Sequence, residues 1–327
     1  MIKKRIVVIG GGNGSAISLG ALKQNLKLFD LSAVISMSDS GGSSGRLRRQ
    51  FKTLPPGDIM RAVLALSKYD YASLRKIFYQ PRFSGTGKLD THNLGNLFLT
   101  LAAQYCGDFL KALDALSQSV DTVGKVYPVT LKPVDLVAEL TNGRVVKTEA
   151  FIDKPRYNRG WKIKKVWLEP RCPVYIKAAE AIKKADYIIL SPGSLYTSII
   201  ATLLPQGVKE AIKKSKAKII YVAGNTYRAD GETGPEHLSG VIKHLEEYLP
   251  RPVDKVIYNN HKLNKQEKKY YQFKRWSFLG YDVENLPPGK ILNFDFEKPG
   301  GGLCPPKLGQ LFKKIFQPKA DPPRAEK

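Results

Sequence analysis

Two short apolar runs, separated by a glycine-rich turn and a helical pattern, fill the first 37 residues of the chain. RIVVIG at 5–10 is rich in β-branched residues and bounded by charges and glycines, and LSAVISM at 31–37 has the same apolar character. Such runs are typical of buried strands. Between them, apolar side chains recur at helical spacing from Ile17 to Leu26. The pattern predicts a strand–helix–strand unit, which places the chain among the α/β folds.

A different pattern occupies the middle of the chain. GKVYPVTL, VDLVAEL, NGRVVKTEA and KIKKVWLE read as short strands, and Asn142-Gly143 between two of them is a strong hairpin signal. We therefore expect a small antiparallel insertion at about 124–170. DYIIL, AKIIYVA and DKVIYNN then restore the alternation of strands with helices. One ligand-binding domain is expected over 1–297, followed by a flexible, basic, Pro- and Gly-rich tail at 298–327 that carries one short amphipathic segment.

The chain of 327 residues carries a formal net charge of +24 and has a pI near 9.8. Such a charge gives a general affinity for anions, and non-specific nucleic-acid binding is one consequence, although no known nucleic-acid-binding signature accompanies it. The three cysteines are far apart and show no paired spacing, which favours a reducing cytoplasm over a disulfide framework. The best candidate for a membrane span, 187–204, is interrupted by Pro192 and Gly193, so no span is expected.

The turn after the first strand reads GGGNGSA and opens a helix. Glycines there let the backbone approach a phosphate, and the helix N-terminus offers free N–H groups. Gly11, Gly12, Asn13 and Gly14 are therefore candidate ligand-binding residues. The same glycines also suit a tight strand–helix turn that binds nothing, and the match to the dinucleotide fingerprint is incomplete. No acid follows the second strand until Asp39, which argues against an ordinary NAD site.

A second polar loop, SDSGGSSGRLR, follows the second strand, at the edge of a parallel sheet where ligands bind. Its hydroxyls, backbone amides and arginine forks suit phosphate oxygens. Asp39 could hold a metal ion, accept from a sugar hydroxyl or cap the turn, whereas Asp58 in LPPGDIMR is best explained as a helix cap. The candidate ligand-binding residues of this loop are Asp39, Ser40, Gly41, Gly42, Ser43, Ser44 and Arg46.

A third turn repeats the arrangement. SPGSLYTSII places glycine and serine after a strand and hydroxyls in the next helix, and VAGNTYRADGET ends another strand with Asn225, which can read a base or a sugar. Several such turns in one sheet favour a nucleotide-like ligand spread across its edge. His92 and Asn96, four residues apart, are expected to share a helix face and to make polar contacts. The further candidate residues are His92, Asn96, Gly193, Ser194, Tyr196, Thr197 and Asn225.

These motifs, in this order, resemble the gluconeogenesis factor family, which is related to the 2-phospho-L-lactate transferase of deazaflavin coenzyme synthesis. The motifs that carry the resemblance are VVIGGGNG, SDSGGSSGRLR, PPGDI, HNLGN, VTLKPVDLVAEL, VWLEP, LSPGSLYTSIIATLL and GNTYRADGET, over roughly residues 6–260. The resemblance implies a Rossmann-like, doubly wound, mostly parallel sheet with the ligand across its carboxyl edge. Where the family usually has an acidic pair before the double glycine, this chain has Asp39-Ser40, which weakens a two-acid metal site.

The resemblance also implies a cytoplasmic regulatory protein that binds UDP-sugars, affects cell shape and carbon use, and has no established catalysis. Such a protein requires no cofactor, although Mg²⁺ at Asp39 suits a diphosphate ligand. The alternative is an enzyme of the transferase branch, which moves a phospholactyl group from a guanosine diphosphate carrier to a deazaflavin with a divalent metal. Asp39 and Asp58 would then be its catalytic candidates. Protein partners and oligomeric state do not follow from the sequence.

Overall fold

The computed structural model of the protein describes residues 2–80 and 82–316. Its strands are β1 (Lys4–Gly10), β2 (Phe29–Ile35), β3 (Lys125–Pro128), β4 (Asp135–Leu140), β5 (Val145–Lys147), β6 (Ile163–Glu169), β7 (Tyr187–Leu190), β8 (Lys218–Ala223), β9 (Thr226–Arg228), β10 (Lys255–Asn259), β11 (Trp276–Phe278) and β12 (Ile291–Phe294). Its α-helices are α1 (Gly12–Lys23), α2 (Gly42–Phe51), α3 (Gly57–Leu66), α4 (Tyr71–Leu74), α5 (Leu94–Cys106), α6 (Phe109–Ser119), α7 (Glu149–Asp153), α8 (Ile176–Lys184), α9 (Ala201–Leu203), α10 (Val208–Lys214), α11 (Leu238–Glu247), α12 (Lys265–Phe273) and α13 (Pro305–Phe316). Two further segments, Arg75–Tyr79 and Leu195–Ile200, are π-helical. Within the described residues, no helix has both the length and the apolar composition that crossing a membrane requires.

Seven parallel strands form the central sheet, in the order β12-β10-β8-β7-β1-β2-β3. Val8 of β1 lies opposite Ala33 of β2 on one side and Ile189 of β7 on the other. All three side chains are fully buried, because a parallel sheet of this kind is covered on both faces. The chain winds outwards from β1 in both directions, which confirms the Rossmann-like, doubly wound fold. The order reverses between β1 and β7, the position where ligands bind in such sheets.

The antiparallel insertion is smaller than the sequence suggested. β4 pairs antiparallel with both β5 and β6, so these three strands form a separate sheet. The β4–β5 connection turns at Asn142-Gly143, where Gly143 has a φ of 82°, as the hairpin signal predicts. β3, however, pairs parallel with β2 and forms one edge of the central sheet. The predicted start of the insertion at about 124 is therefore wrong, because the β3 segment extends the parallel sheet.

The segment after β12 is not the loose tail that its composition suggested, as far as the structure describes it. α13 carries its apolar residues on one face and packs against α1, and its Leu308 and Phe312 are fully buried. Phe316 completes the contact, with its ring centroid 4.3 Å from that of Tyr187. The amphipathic segment expected from the sequence is thus part of the core. Residues 317–327 lie outside the described part of the chain.

Replacement of Phe312 by Ala should lower the free energy of unfolding by about 3–5 kcal/mol, because it leaves a cavity where α13 packs. Denaturant unfolding measures the change. Lys313→Ala, at the next and exposed position, is the matched control and should change the free energy by less than about 0.5 kcal/mol. Equal stability of the two variants would show that α13 contributes nothing to the fold.

Candidate ligand-binding site

One large cavity opens at the carboxyl ends of β1, β2, β7 and β8. Its volume is about 1420 Å³, and the turns that follow these strands contribute to its wall. It lies where the strand order reverses, the expected place for a ligand in such a sheet. The predicted residues that line it are Gly11, Gly12, Asn13, Gly14, Asp39, Gly41, Gly42, Asp58, Gly193, Ser194, Thr197 and Asn225. The structure thus brings together the turns that the sequence singled out.

The first turn places the start of α1 in the cavity wall, with the Asp58 carboxylate of α3 beside Gly11. Gly11 is the N-cap residue, with an extended φ of −152°, and no side chain caps the helix. The first turn of α1 also contains no acid, so the positive end of the helix dipole has no counter-charge on the helix itself. Gly14 has a packing role, because a side chain there would place its Cβ 1.5 Å from the Pro192 carbonyl oxygen. Only glycine lets α1 approach the turn after β7 this closely.

The second turn is held from behind by buried polar side chains. α2 begins at Gly42, again with no side-chain cap. The Ser43 hydroxyl lies 2.8 Å from Nδ1 of His92 and accepts from Nδ2 of Asn96 at 2.9 Å. His92 precedes α5, whose N-cap is Asn93, so the expected helix face shared by His92 and Asn96 is wrong. These two side chains support the loop from outside the cavity.

Arg46 is directed away from the cavity. Its guanidinium donates to the Asp90 carbonyl oxygen and to the Thr91 hydroxyl, in the loop before α5. The expectation that Arg46 holds a diphosphate is therefore corrected, because these contacts hold its side chain outside the cavity wall. The cavity wall instead contains Arg61 of α3, which pairs with Asp58 at 3.0 Å. Arg61 is not part of a glycine-rich turn, so the sequence did not single it out as a site residue. Its spacing of three residues from Asp58 is the only feature of the sequence that indicates the pair.

Three carboxylates, those of Asp39, Asp58 and Glu149, lie close to one another between the first two turns. Asp39 accepts from the Gly41 amide at 2.9 Å, and Glu149 accepts from the Ser40 amide at 3.1 Å. Burial raises the pKa of Asp39, and the nearby Asp58 raises it further. Burial likewise raises the pKa of Glu149, and Asp39 adds to this effect. The carboxylates therefore repel one another, and a bound cation or proton would relieve the repulsion.

Glu149 is a site residue that the sequence did not indicate. It follows the antiparallel strand β5, and its contact with the Ser40 amide supplies the carboxylate that the Asp39-Ser40 pair lacks. The prediction that Asp58 caps its helix is wrong, because the N-cap residue of α3 is Pro56 and no side chain caps this helix. Asp58 instead lies near enough to Asp39 to raise its pKa. Among the described residues, no group of three or more His, Cys, Asp or Glu side chains is arranged to hold a metal ion. Mg²⁺ is usually held by only one or two carboxylates together with the phosphates of a ligand.

An internal carboxylate occupies the third turn. Glu232 accepts from the Tyr196 amide at 3.1 Å, from the Thr197 amide at 3.0 Å and from the Thr197 hydroxyl at 3.2 Å. The sequence assigned these groups to a phosphate, and that prediction is corrected because Glu232 already accepts from them. Tyr196 is buried, and its hydroxyl lies 2.8 Å from Nδ1 of His244. Burial raises the pKa of Glu232 to about 7.

Asn225 follows β8 and is 3% exposed. Its Oδ1 accepts from the Tyr271 hydroxyl at 3.4 Å, and within the described residues its Nδ2 has no hydrogen-bond partner. A buried amide donor without a partner is unfavourable, so an acceptor on a ligand would stabilise it.

The predicted residues that do not line the cavity are Ser40, Ser43, Ser44, Arg46, His92, Asn96 and Tyr196.

The raised pKa of Glu232 makes stability depend on pH. The folded state binds more protons than the unfolded state between about pH 4.5 and pH 7, so the free energy of unfolding should fall as pH rises through this window. Glu232→Gln stays neutral at all pH values, so it should not lose stability in this way. From pH 5 to pH 8 the free energy of unfolding of Glu232→Gln should rise, relative to that of the wild type, by on the order of 2 kcal/mol. Denaturant unfolding at both pH values measures this difference. Glu180→Gln, at an exposed position on α8, is the control, and a Glu232→Gln curve parallel to that of the wild type would contradict the assignment.

Comparison with known proteins agrees with the fold and the motifs. The family model for 2-phospho-L-lactate transferase CofD matches residues 6–291. The gluconeogenesis factor of Bacillus subtilis is 36% identical over 286 residues, which cover 87% of each chain. The gluconeogenesis factor of Halalkalibacterium halodurans is 38% identical over 250 residues, which cover 75% of this chain and 74% of that one. A Bacillus halodurans protein of known crystal structure superposes with a TM-score of 0.86 at 31% identity, over 97% of this chain and 100% of that one.

The doubly wound sheet, with the uncapped N-terminus of α1 at its switch point and that of α2 after the neighbouring strand, defines a Rossmann-like protein with a crevice at the carboxyl edge of the sheet. The matches then give the family. The chain belongs to the gluconeogenesis factor family, within the wider group that the CofD model describes. The family resemblance predicted from the sequence motifs is confirmed.

Proposed function

We propose that the protein binds a nucleoside diphosphate sugar, a UDP-sugar in particular, and acts as a cytoplasmic regulator and not as an enzyme. The observation that carries the proposal is that α1 and α2 both begin at the cavity without side-chain caps. Two uncapped N-termini offer N–H donors and positive dipole ends to two phosphate groups. The third turn offers no comparable place, because Glu232 accepts from its amides.

The charge and size of the cavity support the same ligand class. Arg61, Arg75 and Lys154 line it, and within the described residues neither Arg75 nor Lys154 has an acidic partner. Together with the net charge of +24, these cations favour an anionic ligand. The volume of about 1420 Å³ exceeds that of most small-molecule sites, so a sugar can be held as well as a nucleotide.

Asn13→Asp tests the role of the α1 N-terminus. Asn13 is exposed in the first turn of α1 and lines the cavity, so the substitution adds a negative charge where a phosphate would bind. Affinity for UDP-glucose, measured by isothermal titration calorimetry, should fall by at least about tenfold. The protein itself should become more stable by about 0.3–1 kcal/mol, because an acid near a helix N-terminus is favourable.

Asn13→Ala is the matched control, because it removes the side-chain amide without adding charge. It should bind UDP-glucose more tightly than Asn13→Asp. Equal affinities of Asn13→Asp and the wild type would exclude the α1 N-terminus as a phosphate site. Absence of UDP-glucose binding by the wild type would overturn the proposal itself.

The regulatory role rests on the relatives. The Bacillus subtilis relative is named a gluconeogenesis factor, which supports a role for this protein in carbon metabolism. An effect on cell shape belongs to the same proposal, through the family resemblance of the sequence motifs. Binding without turnover would be sufficient for such a role.

A second candidate is a phosphoester transferase of the type that the CofD model describes. The carboxylate cluster favours it, because Asp39 and Asp58 lie beside Arg61 at the start of the two open helices. These two aspartates would hold Mg²⁺, which neutralises phosphate charge when bound. Arg61 would orient the diphosphate, and Glu149 would keep a proton at the site through its raised pKa.

Asp39→Asn separates a cation site from a turn cap. If Asp39 and Mg²⁺ hold the ligand together, UDP-glucose should bind more tightly with Mg²⁺ than with EDTA, and Asp39→Asn should remove the difference because Asn lacks the charge. Calorimetry with each additive measures it, with Asp114→Asn on the exposed face of α6 as the control. A Mg²⁺ effect that persists in Asp39→Asn would show that Asp39 only accepts from the turn. Consumption of a guanosine-diphosphate-linked phospholactate with a deazaflavin would establish the enzyme instead.

A further inference from the structure

Part of the cavity wall comes from segments that the sequence motifs did not include. Tyr270 and Tyr271 of α12, Lys274 after it, and Trp276 of β11 line the cavity together with Lys298. β11 pairs antiparallel with β9, so Trp276 lies opposite Arg228. This aromatic wall, residues 270–276 with 298–302, follows the turn of β8 along the carboxyl edge of the sheet.

The aromatic wall is held by a buried glutamate. Glu297, 1% exposed, accepts from the Tyr271 hydroxyl at 2.7 Å and from the Gly302 amide, and its other oxygen accepts from Asn259 at 2.7 Å. A side chain at Gly301 would place its Cβ 2.5 Å from the Tyr270 ring, so the glycine loop packs directly on that ring. These contacts fix the aromatic side chains in place within the folded protein.

The rings and cations of the wall suit a flat, charged ligand. The Trp276 ring is edge-on to the Tyr270 ring at 5.8 Å and to the Tyr271 ring at 5.1 Å. Lys274 Nζ lies 5.5 Å from the Tyr270 ring centroid. Neither Lys274 nor Lys298 forms an ion pair with any residue that the structure describes. Aromatic faces beside cations are the common means of binding a nucleobase next to its phosphates.

We infer that the aromatic wall binds the nucleobase, with Trp276 as its stacking partner. The inference rests on the proposed function. It orients the ligand with its base at the aromatic wall and its diphosphate at the N-terminus of α1. β1, β7 and β8 are neighbours, so the turn after β8 lies two strand spacings, about 10 Å, from the open N-terminus of α1. A nucleoside diphosphate extended along the sheet edge spans such a separation. Asn225, whose Nδ2 lacks a partner among the described residues, follows β8 and contacts Tyr271 at the aromatic end of the cavity wall.

Trp276→Leu and Trp276→Phe test the stacking contact. Leucine keeps an apolar side chain without an aromatic face, so its affinity for UDP-glucose should fall roughly fivefold to a hundredfold by calorimetry. Phenylalanine keeps the aromatic face and should retain most of the affinity. Trp276 is one of three tryptophans, and a change in tryptophan fluorescence on addition of UDP-glucose should be lost in Trp276→Phe. The fluorescence result remains decisive if the leucine variant does not fold.

The outcomes separate this inference from the proposed function. Unchanged affinity of Trp276→Leu, with reduced affinity of Asn13→Asp, would overturn the aromatic wall alone and leave the diphosphate site. Equal loss in the leucine and phenylalanine variants would also overturn it, because an aromatic face would then not be what binds. A wild type that does not bind UDP-glucose would overturn both.

Discussion

The close approach of α1 to the turn after β7 determines where the rest of the site lies. At Gly14 the helix passes so near the Pro192 carbonyl oxygen that no larger residue fits. This contact joins the two strands between which the sheet order reverses, β1 and β7. The N-terminus of α1 is thereby fixed at the opening between them. The cavity is a consequence of this packing, since diverging connections at a switch point leave a crevice above the strand ends.

Fixed charges then set the electrostatics of the cavity wall. α1 and α2 present uncapped N-termini, whereas the helix after β7 has its first amides bonded to Glu232. Asp39, Asp58 and Glu149 add negative charge between the two open helices, and this charge opposes a bare anion. A ligand that brings a cation, or one with hydroxyl groups near the carboxylates, meets less repulsion. The arrangement is therefore more restrictive than a generally basic surface.

The sheet and its glycine turns could be predicted because their signals are local in sequence. A buried strand followed by glycines and a helical pattern needs no knowledge of distant residues. Glu149 and Glu232 could not be found in this way, since they act on turns 109 and 35 residues away through hydrogen bonds. The prediction for Arg46 was wrong for a related reason. An arginine side chain suits a phosphate, but the guanidinium of Arg46 donates to the Asp90 carbonyl oxygen, 44 residues further along the chain, and is therefore held outside the cavity.

α13 shows the limit of composition as a guide. Its proline, glycine and lysine content suggested a loose tail, yet the spacing of Leu308, Phe312 and Phe316 gives it one continuous apolar face that only a packed helix can bury. Composition averages over such spacing and therefore conceals it. The core at this end of the molecule depends on periodicity, which the sequence does contain.

The loop that contains Glu297 and Gly302 connects β12 to α13, and α13 packs on α1, whose first turn also lines the cavity. These two parts of the cavity wall are thus joined through the C-terminal helix as well as through the sheet. Thermodynamic linkage requires that a ligand in contact with both parts and the docking of this helix stabilise each other equally. Hydrogen exchange in α13, whose first residues Pro305 and Pro306 line the cavity, would then slow when the cavity is filled.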